Sequence, residues 1–472
     1  MLRPHTALLT AALTLALGVA TSTADARASA LPDPYPSTYQ VIASPAVLIQ
    51  GATVLTGTGE RMDGADVLMV DGRIAEVGQN LSVPANTTVV DGRNKWVTPG
   101  IIDVHSHLGV YPSPGVRAHS DGNEMTAPVT AAVWAEHSVW PQDPGFNAAR
   151  AGGITSLQIL PGSANLIGGR GVTLKNVPAV SYQAMKFPGA PWGLKMACGE
   201  NPKRVYGEKG GPATRMGNVA GYRAAFIEAA EYLKKNGGGN DSTRKKRRWG
   251  KQDEAESAGK KDLKLETLAG AINGDIRVHI HCYRADEMAT MLDLAEEFDF
   301  RIAAFHHGVE AYKIADKLAR SGTCAALWSD WWGFKLEAFD GIQENIALVD
   351  RQPGSCAILH SDSADDIQRL NQEAAKVMAH AQLAGIEIAP ERAILWLTAN
   401  PAKSMGIADQ TGTLETGKMA DVVLWSGNPF SVYAKAEQVY IDGARVHDIN
   451  DASRRATSDF MLGQPATTGG AL

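Results

Sequence analysis

Four short apolar runs in this chain each lead into residues of the types that bind metal ions in proteins. The first run, residues 101–104, is followed by His105 and His107, and alternation along a strand puts both imidazoles on one face. The other three runs lead into His281, the pair His306–His307, and Asp362. In a parallel barrel the strand ends meet at one end, so we expect these side chains to converge. Neutral imidazoles can hold a divalent metal, commonly zinc, and the aspartate can accept a proton from water.

The middle of the chain, about residues 99–402, alternates apolar strand candidates with helical periodicity. The eight strand candidates are residues 101–104, 156–160, 179–183, 194–197, 277–280, 301–305, 323–328 and 355–359. This pattern predicts an α/β fold, a (β/α)8 TIM-like barrel, whose ordinary size is ~250 residues. An open doubly wound sheet is the alternative.

Short β-strands are predicted near both ends of the chain. Alternating apolar runs flank the turn Asp71-Gly72, and a similar run enters the turn Asp442-Gly443. An Asp-Gly pair beside such runs is a strong hairpin signal. We therefore expect one small β-sandwich domain built from residues 31–98 and 403–472, with the barrel, residues 99–402, between the two parts.

Residues 1–30 are predicted to be a secretory signal peptide, because Arg3 precedes an apolar run that small-residue cleavage sites follow. A retained N-terminal anchor is the alternative. We expect an exported protein, periplasmic if the source is Gram-negative. A formal charge of −6 argues against a nucleic-acid partner. No later run approaches the ~20 apolar residues of a membrane span. Residues 234–264 contain a basic run and are predicted to be a charged, flexible, solvated insertion.

The chain has four cysteines, Cys198, Cys282, Cys324 and Cys356, and all of them lie in apolar, strand-like runs. Export permits disulfides, but a free cysteine is also an ordinary small buried side chain. We expect buried thiols rather than a disulfide framework, since pairing is not visible in a sequence.

Longer stretches extend these motifs over nearly the whole expected mature chain, namely VTPGIIDVHSHL, AGGITSLQILPGSAN, VHIHCYRADE, FHHGVEAYKIADKLA, ILHSDS, LTANPAKSMGI and GTLETGKMADVVLWSGNPF. Together they resemble the amidohydrolase superfamily in its imidazolonepropionase-like branch. The resemblance implies a (β/α)8 barrel with a small β-sandwich, and metal-assisted hydrolysis, usually of C–N bonds. By motif it implies His105 and His107 as first-strand ligands, His281 and His307 as ligands on the fifth and sixth strands, and Asp362 on the eighth.

The resemblance leaves two candidates for the ligand on the fourth strand. Lys195 lies within the strand, where many members of the superfamily carry a lysine that CO2 has carboxylated and that bridges two metals. Glu200 lies closer to the strand end, and other members use a glutamate. We favour a carboxylated Lys195, and we expect one or two divalent ions per chain, with zinc as the expected metal.

Three other histidines are expected not to bind the metal. The resemblance places the ligand directly before Gly308, so we expect His306 to point away from the site. His279 and His360 alternate with His281 and Asp362, one layer deeper, and are expected to support the ligands.

The predicted function is metal-dependent hydrolysis of an amide, peptide-like or cyclic amide bond, with Asp362 as the base. Cleavage of dipeptides or N-acyl amino acids is one specific form, and a catalytically silent periplasmic binding protein on the same barrel is the alternative. The expected partner is a small molecule, and homo-oligomerisation is left open.

Residues for substrate binding are predicted from their positions after strands. We expect Arg170, in a glycine-rich loop, to bind a substrate carboxylate. Tyr283 and Arg284 are expected to line the mouth of the site. Trp328, Trp331 and Trp332 are expected to form an apolar wall there or to pack under a loop.

Overall fold

The computed structural model describes residues 31–236 and 261–451. The predicted signal peptide, residues 237–260 of the predicted insertion and the C-terminal residues 452–472 lie outside this described part. Its strands are β1 (Val47–Leu55), β2 (Arg61–Val70), β3 (Arg73–Gly78), β4 (Thr88–Asp91), β5 (Trp96–Pro99), β6 (Ile101–Ser106), β7 (Ile154–Ile159), β8 (Ile167–Lys175), β9 (Gly193–Ala197), β10 (Arg277–His281), β11 (Ile302–His306), β12 (Cys324–Leu327), β13 (Ala357–Leu359), β14 (Val422–Trp425), β15 (Ala436–Ile441) and β16 (Ala444–Asp448).

Along the chain, the α-helices lie between the barrel strands or follow the last of them. They are α1 (Pro144–Ala151), α2 (Tyr182–Met185), α3 (Glu200–Tyr206), α4 (Arg215–Asn236), α5 (Leu263–Ile272), α6 (Ala285–Glu297), α7 (Ala315–Ser321), α8 (Asn345–Asp350), α9 (Leu370–Leu383), α10 (Pro390–Ala393) and α11 (Ala399–Met405). None of these helices is both long enough and apolar enough to cross a membrane, as far as the described residues extend.

One sheet joins strands from both parts of the chain, in the order β16-β15-β14-β5-β1-β2-β3, with β4 beside β1. Asp71 and Gly72 have φ of 48° and 77°, and Asp442 and Gly443 have φ of 46° and 72°. Two successive residues with positive φ form the tight hairpin turn whose twist matches the flanking strands. The two predicted Asp-Gly turns are therefore present, and the apolar faces of this sheet form a core of their own.

Within the described residues the second sheet has eight strands, in the order β13-β12-β11-β10-β9-β8-β7-β6, and forms a nearly closed barrel. Parallel pairings join β6 to β7 and each neighbouring pair from β9 to β13. The remaining gap is bridged where the amide of Asp362 donates to the carbonyl of His105 at 3.1 Å. The predicted TIM-like barrel with a small β domain from both ends is confirmed.

The third barrel strand differs from the prediction in position and direction. It is β8, which pairs antiparallel with both β7 and β9. The predicted strand at 179–183 is wrong, because Ser181 caps the short helix α2 there by accepting from the amide of Ala184. The glycines near 168–171, expected in a loop, lie in β8 instead. A Cβ on Gly169, where φ is 124°, would meet the carbonyl oxygen of Val133 at 2.3 Å, so only glycine allows this approach.

The expectation of free thiols is wrong, because the four cysteines form two disulfides. Cys198 follows β9 and is bonded to Cys282, which follows β10, with their Cα atoms 5.2 Å apart. Cys324 at the start of β12 is bonded to Cys356, just before β13, with a Cα separation of 4.5 Å. Each bond joins neighbouring strands of the barrel, a relationship that emerges only when the strands pair.

A buried ion cluster connects the barrel to the β domain. The Nζ of Lys175, at the end of β8, lies 2.7 Å from Asp442 and 3.2 Å from Asp421. The hydroxyl of Tyr39 donates to the same Asp442 carboxylate at 2.5 Å. All three charged side chains are almost completely buried, so each depends on the others for compensation.

Candidate metal centre

The end of β6 carries two imidazoles that face each other inside the barrel. The Nε2 atoms of His105 and His107 are 3.3 Å apart. Nδ1 of His107 lies 2.9 Å from the carbonyl oxygen of Leu160, which can only accept a hydrogen bond. Nδ1 therefore donates a ring proton in this contact, and in the neutral form of the ring Nε2 presents a lone pair to the barrel interior.

Asp362 completes this corner of the site from the opposite side of the barrel seam. Its backbone is left-handed, with φ of 54°, and its carboxylate turns towards the β6 histidines. Oδ1 lies 3.1 Å from Nε2 of His107 and 3.4 Å from Nε2 of His105. Oδ2 lies 3.8 Å from Nε2 of His307, so one carboxylate meets three imidazoles.

β11 delivers two consecutive histidines to the same cluster. The strand ends at His306, and His307 has φ of 70°, which breaks the strand alternation between them. Nδ1 of His306 is 2.9 Å from Nδ1 of His105, and its Nε2 is 2.9 Å from Nδ1 of His279. The expectation that His306 points away from the site is therefore wrong. The left-handed residue after it was not visible as a sequence pattern.

Two overlapping groups of side chains can hold a metal ion. The donor atoms of His105, His107 and Asp362 lie within 4.8 Å of one another, and so do those of His105, His307 and His360. His360, which was expected only to support the ligands, is thus a further candidate ligand. Within the described part of the chain, neither ring nitrogen of His360 has a hydrogen-bond partner, and Nδ1 of His307 has none either.

His281 lies at the end of β10 beside these groups. Its ring centroid is 4.7 Å from that of His307. Its Nε2 faces the side-chain amide of Asn201 at 3.3 Å, and its buried Nδ1 has no hydrogen-bond partner among residues 31–236 and 261–451. His281 therefore adjoins the group that contains His307 and keeps a free nitrogen for a ligand.

The spacing and protonation of these donors fit a divalent metal. The edges of a tetrahedron with zinc–ligand bonds of about 2.0–2.1 Å are about 3.3–3.4 Å. The separations among Nε2 of His105, Nε2 of His107 and Oδ1 of Asp362 are 3.3, 3.4 and 3.1 Å. Burial, followed by nearby positive charge, holds the pKa of His105 and His307 well below the usual value, and burial lowers the pKa of His360 to about 3. Neutral imidazoles with unshared nitrogens are the form that binds metals.

The two candidate ligands of the fourth strand lie in different environments. Lys195 is fully buried in β9, in register with His279, and its Nζ donates to the carbonyl of Pro161 at 3.0 Å. Burial lowers the pKa of Lys195 to about 8. Glu200 is the first residue of α3 and is partly exposed, and its Oε1 lies 3.6 Å from Nζ of Lys335. Lys195 thus faces the barrel interior with the histidines, whereas Glu200 lies at the mouth.

Two of the predicted substrate-binding residues follow the histidine of β10. Tyr283 is buried, with its ring centroid 4.7 Å from that of His281 and 5.7 Å from that of His307. Arg284 precedes α6 and is partly exposed, and its Nε lies 3.4 Å from Asp286. The structure therefore brings Tyr283 to the histidine cluster and places Arg284 against the helix beside it.

Arg170 is not in a loop, and that prediction is wrong. It lies within β8, and its Nε donates to the hydroxyl of Thr267 in α5 at 2.8 Å. Its guanidinium lies over the ring of Trp134, 4.2 Å from the centroid, and over Trp192. The strand directs this side chain into the layer between sheet and helices, where it supports packing.

One buried carboxylate at the site is absent from the predicted set. Asp103 accepts a hydrogen bond from the hydroxyl of Ser361 at 2.5 Å and from its amide at 3.2 Å. Burial raises the pKa of Asp103 to about 7. The sequence did indicate this residue. Asp103 lies in an apolar strand two residues before His105, so the two side chains share one face of the strand, and a buried carboxylate needs a polar partner.

Comparisons with known proteins agree on one family. The family model described as "Amidohydrolase family" matches residues 344–452. The crystal structure of an amidohydrolase from Thermotoga maritima MSB8 is 36% identical and covers 85% of this chain and 100% of that chain, with a TM-score of 0.75. The amidohydrolase tasK of Hapsidospora irregularis is 32% identical over 423 residues, 84% of this chain. This chain spans 42% of the length of tasK.

A prolidase solved with N-methylphosphonate-L-proline is similar in fold. It is 17% identical, with a TM-score of 0.52, over 85% of this chain and 100% of that one. The Thermotoga maritima amidohydrolase is matched over its whole length at 36% identity. From that match, and from the barrel whose strand ends carry the metal-binding side chains, it follows that the chain belongs to the amidohydrolase family, whose enzymes hydrolyse carbon–nitrogen bonds.

Proposed function

We propose that the protein is a metal-dependent hydrolase of amide, peptide-like or cyclic amide bonds, in the imidazolonepropionase-like branch of its family. One observation carries the proposal. Oδ1 of Asp362 lies 3.1 Å from Nε2 of His107, whose ring proton is committed to the carbonyl of Leu160. At this distance the lone pair of Nε2 and the negative carboxylate oxygen repel each other. A cation bound to both atoms offsets this repulsion.

The proposed ligands are the side chains that meet around this pair. They are His105, His107, His281, His307 and Asp362, with His360 as a further candidate. We propose zinc as the metal, with one or two ions per chain. When bound, such an ion polarises the scissile carbonyl and makes a water molecule more acidic.

The chain itself supplies the proton transfer and the orientation of the ligands. Asp362 accepts a proton from the attacking water and later delivers it to the leaving nitrogen. His306 bonds to Nδ1 of His105, which leaves Nε2 of His105 directed at the site. The rings of Tyr283 and Trp328 cover His307, which limits the access of other water molecules to the ligands.

We propose Lys195 rather than Glu200 as the fourth-strand ligand. Lys195 is fully buried, and its lowered pKa, about 8, increases the fraction of neutral amine, which is the form that reacts with CO2 to give a carbamate and a proton. A carbamate would exchange a buried cation, bonded to the carbonyl of Pro161, for an anion among metal-binding groups. Glu200 has another role available, since it pairs with Lys335.

We also propose that the protein is exported. The predicted signal peptide supports export, and the two described disulfides suit an oxidising compartment. Comparison of the N-terminus of the protein purified from the native host with the encoded sequence tests this proposal. Protein retained whole in the cytosolic fraction would contradict it.

The test of the hydrolase is a panel of dipeptides, N-acyl amino acids and cyclic amides, assayed with zinc-loaded protein. Turnover of at least one class is expected, and Asp362→Asn should lower it by about 10²–10⁴-fold while the protein remains folded. Asp365→Asn is the matched control, because Asp365 is an exposed carboxylate on the same connection. Ligand binding without turnover of any class would favour the silent binding protein.

A further inference from the structure

A stack of aromatic rings leads from the candidate metal centre to the surface. The indole of Trp328 lies on the imidazole of His307, with centroids 4.2 Å apart and planes inclined by 25°. Trp331 lies on the other end of this stack, 4.9 Å from Trp328 and again inclined by 25°. Trp328 is buried, whereas Trp331 is 36% exposed, so the stack begins among the proposed ligands and ends in solvent.

A second wall faces the same stack. Tyr283, directly after Cys282 and next to His281, lies 5.9 Å from Trp328 between ring centroids. Phe334 packs edge-on against both, at 6.0 Å from Trp328 and 6.3 Å from Tyr283. Phe334 is 56% exposed, so a large part of its ring is available for a ligand. The rings thus form an apolar surface beside the histidines.

Contacts of residues on either side of the exposed rings anchor the segment that carries them. Nζ of Lys335 lies 3.2 Å from Oδ1 of Asn201 and 4.1 Å above the Tyr283 ring. The buried carboxylate of Glu337 lies against Gly199, where a Cβ would approach its oxygen to 2.6 Å. The indole N–H of Trp328 donates to the carbonyl of Ser361 at 3.2 Å. A surface ordered in advance loses little conformational freedom when it binds a ligand.

The chemistry of this surface selects its ligand. Two charged side chains on this segment are engaged, since Asp330 pairs with Lys376 at 3.0 Å and Lys335 pairs with Glu200. The exposed parts of Trp331 and Phe334 are ring area, which binds apolar and planar groups. Exposed apolar area that continues into a catalytic site is typical of a ligand-binding surface.

We propose that the substrate carries an aromatic or bulky apolar group next to the scissile bond, and that Trp331 and Phe334 bind this group. The proposal rests on the proposed hydrolase function, because it places the reacting bond at the histidines beside Trp328. The substrate class is then the N-acyl derivatives or dipeptides of large apolar amino acids.

The experiment compares N-acetyl-L-phenylalanine with N-acetyl-L-alanine as substrates of the zinc-loaded full chain. We expect kcat/KM to be at least about tenfold higher for the phenylalanine compound. Trp331→Ala and Phe334→Ala should remove most of this preference by raising KM for the phenylalanine compound, with little change for the alanine compound. Phe339→Ala is the matched control, since Phe339 lies on the same segment, is 69% exposed and is outside the stack.

A binding arm separates this proposal from the hydrolase function. The turnover-blocked Asp362→Asn protein is titrated with both compounds by calorimetry. Tighter binding of the phenylalanine compound that Trp331→Ala abolishes, without turnover of any class of the substrate panel by the unmodified protein, would support the aromatic subsite and contradict the hydrolase. Turnover of both compounds with equal kcat/KM, unchanged in Trp331→Ala and Phe334→Ala, would overturn the subsite and leave the hydrolase standing.

Discussion

The hydroxyl of Ser361 donates to the carboxylate of Asp103 at 2.5 Å, and this bond joins the first barrel strand to the residue before Asp362. The amide of Ser361 donates to the same carboxylate at 3.2 Å, and the amide of His105 does so at 3.3 Å. Asp103 therefore sets the relative position of two proposed ligands at the seam where the barrel closes.

Asp103→Ala should reduce both stability and metal content. It leaves two amides without their acceptor and leaves the Ser361 hydroxyl only the carbonyl of His105, 3.3 Å away, and each buried group left unpaired costs about 1–3 kcal/mol. Asp103→Asn keeps one oxygen for the amides and should retain more of both properties. Urea unfolding and elemental analysis measure the two effects. An Asp103→Ala protein as stable and as metallated as the unmodified one would show that Asp103 does not position the ligands.

Lys175→Met should destabilise the contact between the barrel and the β domain. The substitution leaves Asp421 and Asp442 buried without their cation, and breaking a buried pair in this way costs about 3–5 kcal/mol. Equilibrium unfolding in urea measures the loss. The control is Arg61→Met, since the Arg61–Asp63 pair is exposed and should contribute less than about 1 kcal/mol. Equal losses in the two variants would contradict this account of the cluster.

The two disulfides should contribute similarly to stability but differently to metal binding. Their sequence separations are 84 and 32 residues, and loop closure predicts a loss of about 4 kcal/mol for either pair when it is replaced by alanines. The bond between Cys198 and Cys282 lies beside His281, so its removal alone should weaken metal affinity. A competition titration with a chelator compares the variants, and equal metal affinity in both would contradict the prediction.

The ligand on the fourth strand is tested by Lys195→Ala and Glu200→Gln. If Lys195 is carboxylated, Lys195→Ala leaves a gap that formate or acetate can enter, so metal occupancy should fall and activity should recover in part with added carboxylate. Glu200→Gln should keep most of the metal. Loss of metal in Glu200→Gln, with full occupancy and activity in a Lys195→Met protein, would identify Glu200 as the ligand instead.

The sequence was sufficient for the fold class and for residues whose role follows from a local pattern. The spacing of His105 and His107 on a strand already implied a common face. The antiparallel direction of β8 was not predictable, because a glycine-rich sequence is compatible both with a loop and with a strand that closely approaches its neighbours. That His306 and His307 both face the site depends on a single positive φ at His307, which breaks the strand alternation. Such features follow from tertiary packing, which determines backbone conformation and strand direction beyond local preference.

The disulfides and Arg170 illustrate the same limit from different causes. Cysteine pairing requires knowledge of which strands are neighbours, and Cys198 and Cys282 are separated by 84 residues along the chain. Arg170 has a side chain of the type that binds substrate carboxylates, yet the direction of its strand places it against Thr267. In both cases the sequence shows the type of residue, cysteine or arginine, but not the direction in which its side chain points.

The central claim is that the strand-end histidines and Asp362 bind a divalent metal that the hydrolysis requires. The direct measurement is elemental analysis of the purified full chain, followed by removal of the metal with a chelator and titration with zinc. We expect one or two equivalents of metal per chain, loss of turnover on removal, and recovery as the first equivalents of zinc return. Purified protein without stoichiometric metal, whose turnover is indifferent to chelator and to added zinc, would contradict the claim.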